Sequence, residues 1–434
     1  MSIKTRRFLF YSLVLLFILL GTFLVFNSRG YRLDWKNFQV EATGAIYVSS
    51  TPSKAQIELD GEKVKNESGI LQEGTLIDNL LPGEYTLSIA LDGYSSWEKS
   101  IEVESGSVRV FDSVILVPET EPLQLGDSLA DRIVSAGKHL AVEGGGGVSL
   151  DGTLVSGHKI IALSDSGTLL TKSTATDNYY LANAFKPNEN LNLTLVFNNL
   201  KIQKLDLPGA VDIKKVLPYP YNDHRFVVAT NQALYLLDVD KLTLEQIAMG
   251  VNDFFIEGQN NIAWVKEGQV KLFNLPLRSE TVALELGADN GPLRDLKDVS
   301  STWLALNESG EFVSLNLKSD PETIGSSVKS FSLSPKEEDI AILKQNGSLS
   351  IYNLESKISV DIDSSGVTTD TAWFKDAVHI FLLKGSTLIF AEVSNAHLEN
   401  SVVLAKDVQS FSYSGGDTVS FSNSQGVFER VVID

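Results

Sequence analysis

The stretch "FSLSPKEEDIAILKQNGSLSIYNL", Phe331 to Leu354, reads as a short strand, a turn led by Ser334-Pro335, an apolar strand, an Asn346-Gly347 turn and a further strand. Its second half is one copy of a unit that recurs through the C-terminal three hundred residues. The copies are "KIIALSDSGTLLTKS", "LTLVFNNLKIQKLDL", "FVVATNQALYLLDV", "NIAWVKEGQVKLFNL", "TWLALNESGEFVSLNL", "IAILKQNGSLSIYNL", "HIFLLKGSTLIFAEV" and "TVSFSNSQGVFERVVI". Their turns fall near Gly167, Asn199, Gln232, Gly268, Gly310, Gly347, Gly385 and Gly426, at spacings of 32 to 42 residues.

A strand–turn–strand unit cannot bury both faces alone, so a series of them must stack. Eight copies at about one four-stranded sheet each predict an all-β chain with a β-propeller over residues 127–434. The count points to eight blades. Seven also fit, because "EGGGGVSLDGT" has no clear place in the series. The last copy runs out without a fourth strand, and residues His139 to Leu154 are expected to supply it and close the ring.

Upstream the texture is different. Residues 44–118 alternate short runs rich in Val, Ile, Leu and Tyr with the turn dipeptides Asp60-Gly61, Pro82-Gly83 and Asp92-Gly93. This length suits one small antiparallel β-sandwich. Within it "VSSTPSKAQIELDGE", Val48 to Glu62, reads as a hairpin whose Ala55, Ile57 and Leu59 line one core face. Residues 119–126, which contain most of "PETEP", read as a polar linker.

The first residues carry Lys4, Arg6 and Arg7, then nineteen uncharged residues from Phe8 to Phe26. At about 1.5 Å per helical residue they span roughly 28 Å, close to the thickness of a bilayer's hydrocarbon core. A cleavable leader has a shorter apolar region and a small-residue cleavage site, and "FLVFNSRGYR" has no such site. The expectation is a cytoplasmic N-terminus at 1–7, a transmembrane anchor at 8–26 and a juxtamembrane segment at 27–43. The bulk of the chain is then extracytoplasmic.

Composition narrows the function. There are 55 acidic against 36 basic residues, a formal net charge of −19. Such a surface repels phosphate backbones, so no nucleic-acid partner is expected. The absence of cysteine excludes disulfides, thiolate metal sites and cysteine nucleophiles. The five histidines lie far apart in sequence.

Sharper motifs fall short. Asp361, Asp363 and Gly366 have partial calcium-loop spacing, but Ala372 stands where the closing glutamate belongs. Ser326 and Lys329 form a lone S-x-x-K without the companion motifs. Gly144 to Gly147 lack the Lys-Ser/Thr ending of a phosphate loop. No cofactor, metal or catalytic residue is therefore expected.

Residues 44–118 resemble a PEGA domain, a small β-domain of bacterial envelope proteins. The resemblance rests on Pro52, Ala55, Asp60 and Gly61, then on Pro82, Gly83, Tyr85, Gly93, Tyr94 and Trp97. The name-giving positions read Pro52-Ser53-Lys54-Ala55, so the acidic-Gly pair at their centre is replaced. The repeats resemble WD40-like and TolB-type propellers in architecture, although no Trp-Asp signature recurs. Together these resemblances imply a bacterial single-pass cell-membrane protein that holds a binding or scaffolding propeller outside the membrane. Its partner would be a cell-wall polymer or an envelope protein. The alternatives are a propeller hydrolase or lyase with its site in the central channel, and a factor for envelope-protein assembly.

Overall fold

The computed structural model describes residues 3–28, 30–34, 39–69, 72–205, 207, 209, 211–219, 222–251, 253–258, 260–285, 292–299, 302–316, 319–394 and 397–433. The chain divides into two compact units, residues 1–120 with 431–434, and residues 121–430. Each is described by itself.

In the first unit, helix α1 covers Ile3–Ser28. Its segment Thr5–Phe26 has mean hydropathy 2.6 and buries none of its side chains against protein. It is long and apolar enough to cross a membrane, and a signal sequence near an N-terminus shares those properties. Residues 44–118 form a four-stranded and a three-stranded sheet. Their shared core holds Ile46, Val48, Ala55, Ile57, Leu59, Leu87, Ile89, Trp97 and Ile101. Alternation drives this: in Trp97–Val103 the buried residues are Trp97, Ile101 and Val103, with exposed Glu98, Ser100 and Glu102 or half-buried Lys99 between them.

Two expectations are corrected here. Val48 to Glu62 is not a single hairpin, because Gly44–Thr51 lies in the three-stranded sheet and Gln56–Leu59 in the other. Residues 52–55 carry the chain across the sandwich, and the hairpin proper joins Gln56–Leu59 to Glu62–Val64. The sandwich is also not wholly antiparallel, since Gly44–Thr51 pairs in parallel with Val108–Ile115. Period-two patterning sets which face is buried, but it carries no strand direction.

The second unit contains eight four-stranded antiparallel sheets among the described residues, an arrangement that resembles a β-propeller. In chain order sheets 1 to 7 occupy residues 132–155, 159–192, 213–249, 255–285, 293–325, 328–363 and 368–405, each with its strands in sequence order. Sheet 8 contains Val408–Ser412, Thr418–Asn423 and Gly426–Val431, with Leu123–Gly126 on its edge. The expected closing segment, His139 to Leu154, belongs instead to sheet 1, and the strand that pairs with the C-terminus comes from the end of the stretch read as linker. "EGGGGVSLDGT" supplies one strand of sheet 1, Gly147–Leu150, with the end of the strand before it and the start of the strand after it. Gly145 and Gly146, both at positive φ, turn one hairpin there.

The copy read as a strand pair at 193–207 is overturned too, since Leu193–Leu205 is helix α2. Leu193, Phe197 and Leu200 are buried at helical spacing between sheets 2 and 3, and the Asn192 side chain accepts the Leu195 N–H at 2.9 Å. Copy 159–173 covers the first two strands of its sheet, whereas the six copies from 226 onward cover the middle two.

Candidate functional site

The ten residues that carry the PEGA-like pattern sit on turns and in the core of the first unit. Asp60 (φ 52°) and Gly61 (φ 78°) make the two-residue turn, and the Asp60 carboxylate accepts the Thr86 N–H at 2.7 Å. Pro52 follows a cis peptide bond, and Ala55 is buried beside Ile57. Pro82 and Gly83 join two successive strands, and the Tyr85 hydroxyl donates to the Leu81 carbonyl at 2.8 Å. Burial pushes the Tyr85 phenol up, with Asp60 adding to the effect. Gly93 turns at φ 82°, and Tyr94 bridges to Pro118. Trp97 is 2% exposed and stands edge-on to Phe111 at 5.7 Å, so its ring is part of the core.

In the second unit, the first strands of sheets 1 to 7 each carry charged side chains. These strands are sheet edges and abut one another, 132–136 meeting both 159–163 and 408–412. In six of the eight first strands the ladder skips a residue near the start, which places Ile161, Lys214, Arg294, Lys329, Thr369 and Gln409 at bulges. The first strands carry Arg132, Lys159, Lys214, Lys215, Arg294, Lys297 and Lys329 against Glu257, Asp295, Asp298 and Asp370. They are cationic within an acidic chain.

Several of these cations reach to the main chain of the following sheet. Arg132 donates to the Ile160 carbonyl at 2.9 Å, and Lys215 to that of Phe254 at 2.8 Å. Arg294 donates to the Val328 carbonyl at 3.1 Å and also to that of Lys329. Lys329 donates to the Thr369 carbonyl at 2.7 Å, and not to Ser326 as an S-x-x-K reading would need. Between sheets 8 and 1 hydroxyls replace the cations: the Ser135 N–H and hydroxyl reach Ser412 Oγ at 2.8 and 2.9 Å. A charged donor on an edge carbonyl makes a strong hydrogen bond, so each link stiffens one junction between sheets.

Two carboxyls on these strands are perturbed. Asp370 touches water yet is enclosed on most sides. Desolvation holds its pKa above the usual range, against the Thr371 N–H and the positive charges of Lys329 and Arg132. Glu257 is pushed up to about 7, chiefly by desolvation, with Asp298 and Asp295 adding repulsion. Sequence reading did not single out either residue. The available signal was the recurring apolar–polar–polar–apolar start of several first strands, as in Val328-Lys329-Ser330-Phe331 and Leu293-Arg294-Asp295-Leu296, which differs from a plain period of two; Asp370 holds the third place of its own strand.

The Glu257 shift predicts a pH effect with a definite sign. The folded state holds this proton more tightly than the unfolded chain does, so its contribution to stability falls as pH rises from about 4.5 to about 7. Glu257→Gln is expected to remove that fall and to be more stable than the parent at pH 8 by about 1–2 kcal/mol, after allowance for solvent screening. Urea midpoints of both proteins at pH 5 and pH 8 check it. A parent–variant gap that does not change with pH contradicts the assignment.

The remaining candidates are held by protein partners. Asp361 accepts the Ser350 hydroxyl, which lowers its pKa. Asp363 is desolvated, but hydrogen bonds from Thr368 at 2.7 Å and from Ser365 and Lys384 hold its pKa low. His139 pairs with Asp151 at 2.7 Å, and His379 with Asp376 at 2.6 Å. Among the described residues no three His, Asp or Glu side chains form a metal-binding set.

No family model matches the chain, and no curated protein matches it in sequence. Among solved structures it is similar to the C-terminal WD40 domain of Sif2, at 12% identity and TM-score 0.47 over 73% of this chain and 98% of that one. It is also similar to the computationally designed protein Ika8, at 10% identity and TM-score 0.49 over 71% and 100%. An oligogalacturonate lyase in complex with manganese matches at 12% identity and TM-score 0.41, over 62% and 87%.

Proposed function

We propose that this chain is a single-pass bacterial membrane protein whose eight sheets are the blades of a closed ring displayed outside the cytoplasm. Its work is non-enzymatic recognition or scaffolding. Residues 44–118 serve as a PEGA-type spacer or envelope contact, 8–26 as the anchor and the ring as the binding body. The observation that carries this reading is the set of cation-to-carbonyl links on the first strands. Arg132, Lys215, Arg294 and Lys329 are engaged in holding neighbouring sheets together, which suits a rigid platform for loops more than a reaction chamber.

The test is cosedimentation of the detergent-solubilised full chain with purified bacterial cell-wall material and, in parallel, its capture of envelope proteins after crosslinking. Saturable retention by either supports the reading. A full chain that is folded by circular dichroism and retained by neither overturns it. Intact mass of the membrane-extracted protein tests the anchor, and loss of the first thirty residues would make that segment a leader.

One observation favours a second reading. Glu257, with its pKa near 7, can hold a proton at neutral pH, as a general acid in a glycan hydrolase or lyase must. That reading expects turnover of polysaccharide substrates by the parent and its loss in Glu257→Gln.

A further inference from the structure

Sheet 6 carries two unlike grooves, one on each side of a single turn. Toward sheet 7 lies a groove of about 420 Å³ with Ile351, Ile358, Val360, Ile362, Trp373 and Val393 in its wall. Toward sheet 5 lies one of about 320 Å³, lined in part by Glu322, Glu337, Glu338, Glu355, Tyr352 and Lys357. The turn that separates them alternates: Ser356 and Ile358 belong to the first wall, Glu355 and Lys357 to the second. Residues 354–356 turn and Lys357 has a φ of 58°, so this short stretch contributes side chains to both grooves.

The two walls ask for different chemistry. Ile358 is 59% exposed, an apolar side chain left in water on a strongly acidic protein. Trp373 in the same wall is only 7% exposed, its indole N–H held by the Ser332 carbonyl at 3.2 Å, so the accessible apolar surface is Ile358 with half-buried Val360 and Val393. Its polar lining residues Asn353 and Asp339 bond to one another at 2.8 Å. On the other side four glutamates face one lysine, and Lys357 is paired with Glu322 at 2.6 Å. Glu337, Glu338 and Glu355 are all exposed, so their charge acts outward on an approaching ligand.

We infer that this face of sheet 6 docks an extended segment of a partner protein, seating one large apolar side chain against Ile358, Val360 and Val393 and one arginine or lysine among Glu337, Glu338 and Glu355. Charge complementarity selects the cation, and the apolar wall selects its companion. Spacing follows from geometry. Stacked sheets lie about 10 Å apart and an extended chain advances about 3.3 Å per residue, so the two side chains are about three residues apart. The inference deepens the recognition role proposed above, on which it rests, by naming the chemistry of the partner.

The test uses the detergent-solubilised full chain and fluorescein-labelled hexapeptides of serine with phenylalanine and arginine three positions apart, made in both orders. Anisotropy titration is expected to give saturable binding for one order. Affinity should fall at least about tenfold when phenylalanine becomes serine, and likewise when arginine becomes glutamate. Ile358→Asp is expected to weaken the parent peptide by a similar factor. The double variant Glu337→Lys, Glu338→Lys should lose the arginine peptide and gain the glutamate one, a reversal that a misfolded protein cannot give. These positions are exposed, and a thermal melt verifies that each variant is folded. Absence of saturation up to 1 mM in both orders overturns the inference, as does equal binding of the glutamate or serine peptide. Cell-wall or envelope retention that persists when the peptides fail would leave the broader recognition role standing and remove this site.

Discussion

Gly426→Ala is expected to cost the second unit about 3 kcal/mol or more, because it strikes the pairing that joins the two ends of the ring. Gly426 opens the strand that pairs with Leu123–Gly126, and it holds a φ of 143°. A Cβ there would lie 2.1 Å from the Gly126 carbonyl oxygen, a main-chain atom with no side-chain freedom to move aside. Either the closing strand shifts or the turn at 424–425 rebuilds. Gly415→Ala is the control. It also has a positive φ, 90°, but a Cβ there meets nothing within 4 Å, so only the backbone penalty of about 1 kcal/mol applies. Thermal midpoints of the two variants should differ clearly, and equal midpoints would mean that closure at 123–126 contributes little to stability.

Phe374→Ala is the second large effect, expected at about 3–5 kcal/mol. Phe374 is fully buried where sheet 7 meets sheet 8. It stands edge-on to Phe390 at 5.2 Å and to Phe381 at 5.9 Å, and tilted over Tyr413 of sheet 8 at 5.4 Å. Removing the ring leaves a cavity whose walls belong to two sheets, so neither can collapse into it without shifting the other. Phe374→Leu keeps most of the volume and should lose about 1–2 kcal/mol. Denaturant midpoints measure both. A leucine variant as unstable as the alanine one would place the cost in aromatic geometry and not in the void.

Most of the architecture was legible because the buried face of each inner strand is written in adjacent residues. Val227, Ala229, Leu234 and Leu236 pack toward sheet 4, while Phe226, Val228, Tyr235 and Leu237 pack toward sheet 2. A continuous apolar run with a short polar break announces such a strand pair directly. Sheet 1 escaped because its central turn is built from Gly144 to Gly147, which have no side chains to show a pattern. A Cβ on Gly144 would come within 2.3 Å of the Leu129 carbonyl oxygen, so that emptiness has a packing cause. Helix α2 escaped because its length and polar centre match a strand pair. The spacing of Leu193, Phe197 and Leu200 behind Asn192 was the stronger signal. The charged collar on the first strands could not be read from any single segment. Its links join residues 28 to 40 positions apart, and only the topology brings them together.

The late partner of Leu123–Gly126 has a consequence for how the protein is made. Gln124 and Gln425, which meet in the finished ring, are 301 residues apart, so at about 5–20 residues per second a ribosome needs about 15–60 s to deliver the second after the first. Throughout that interval seven sheets can form in order, each on the one before, while the first strand waits with an open edge and sheet 8 does not exist. Nascent chains of this protein therefore pass through a long-lived stage in which an unpaired strand is exposed, and they depend on synthesis finishing before that edge finds another copy.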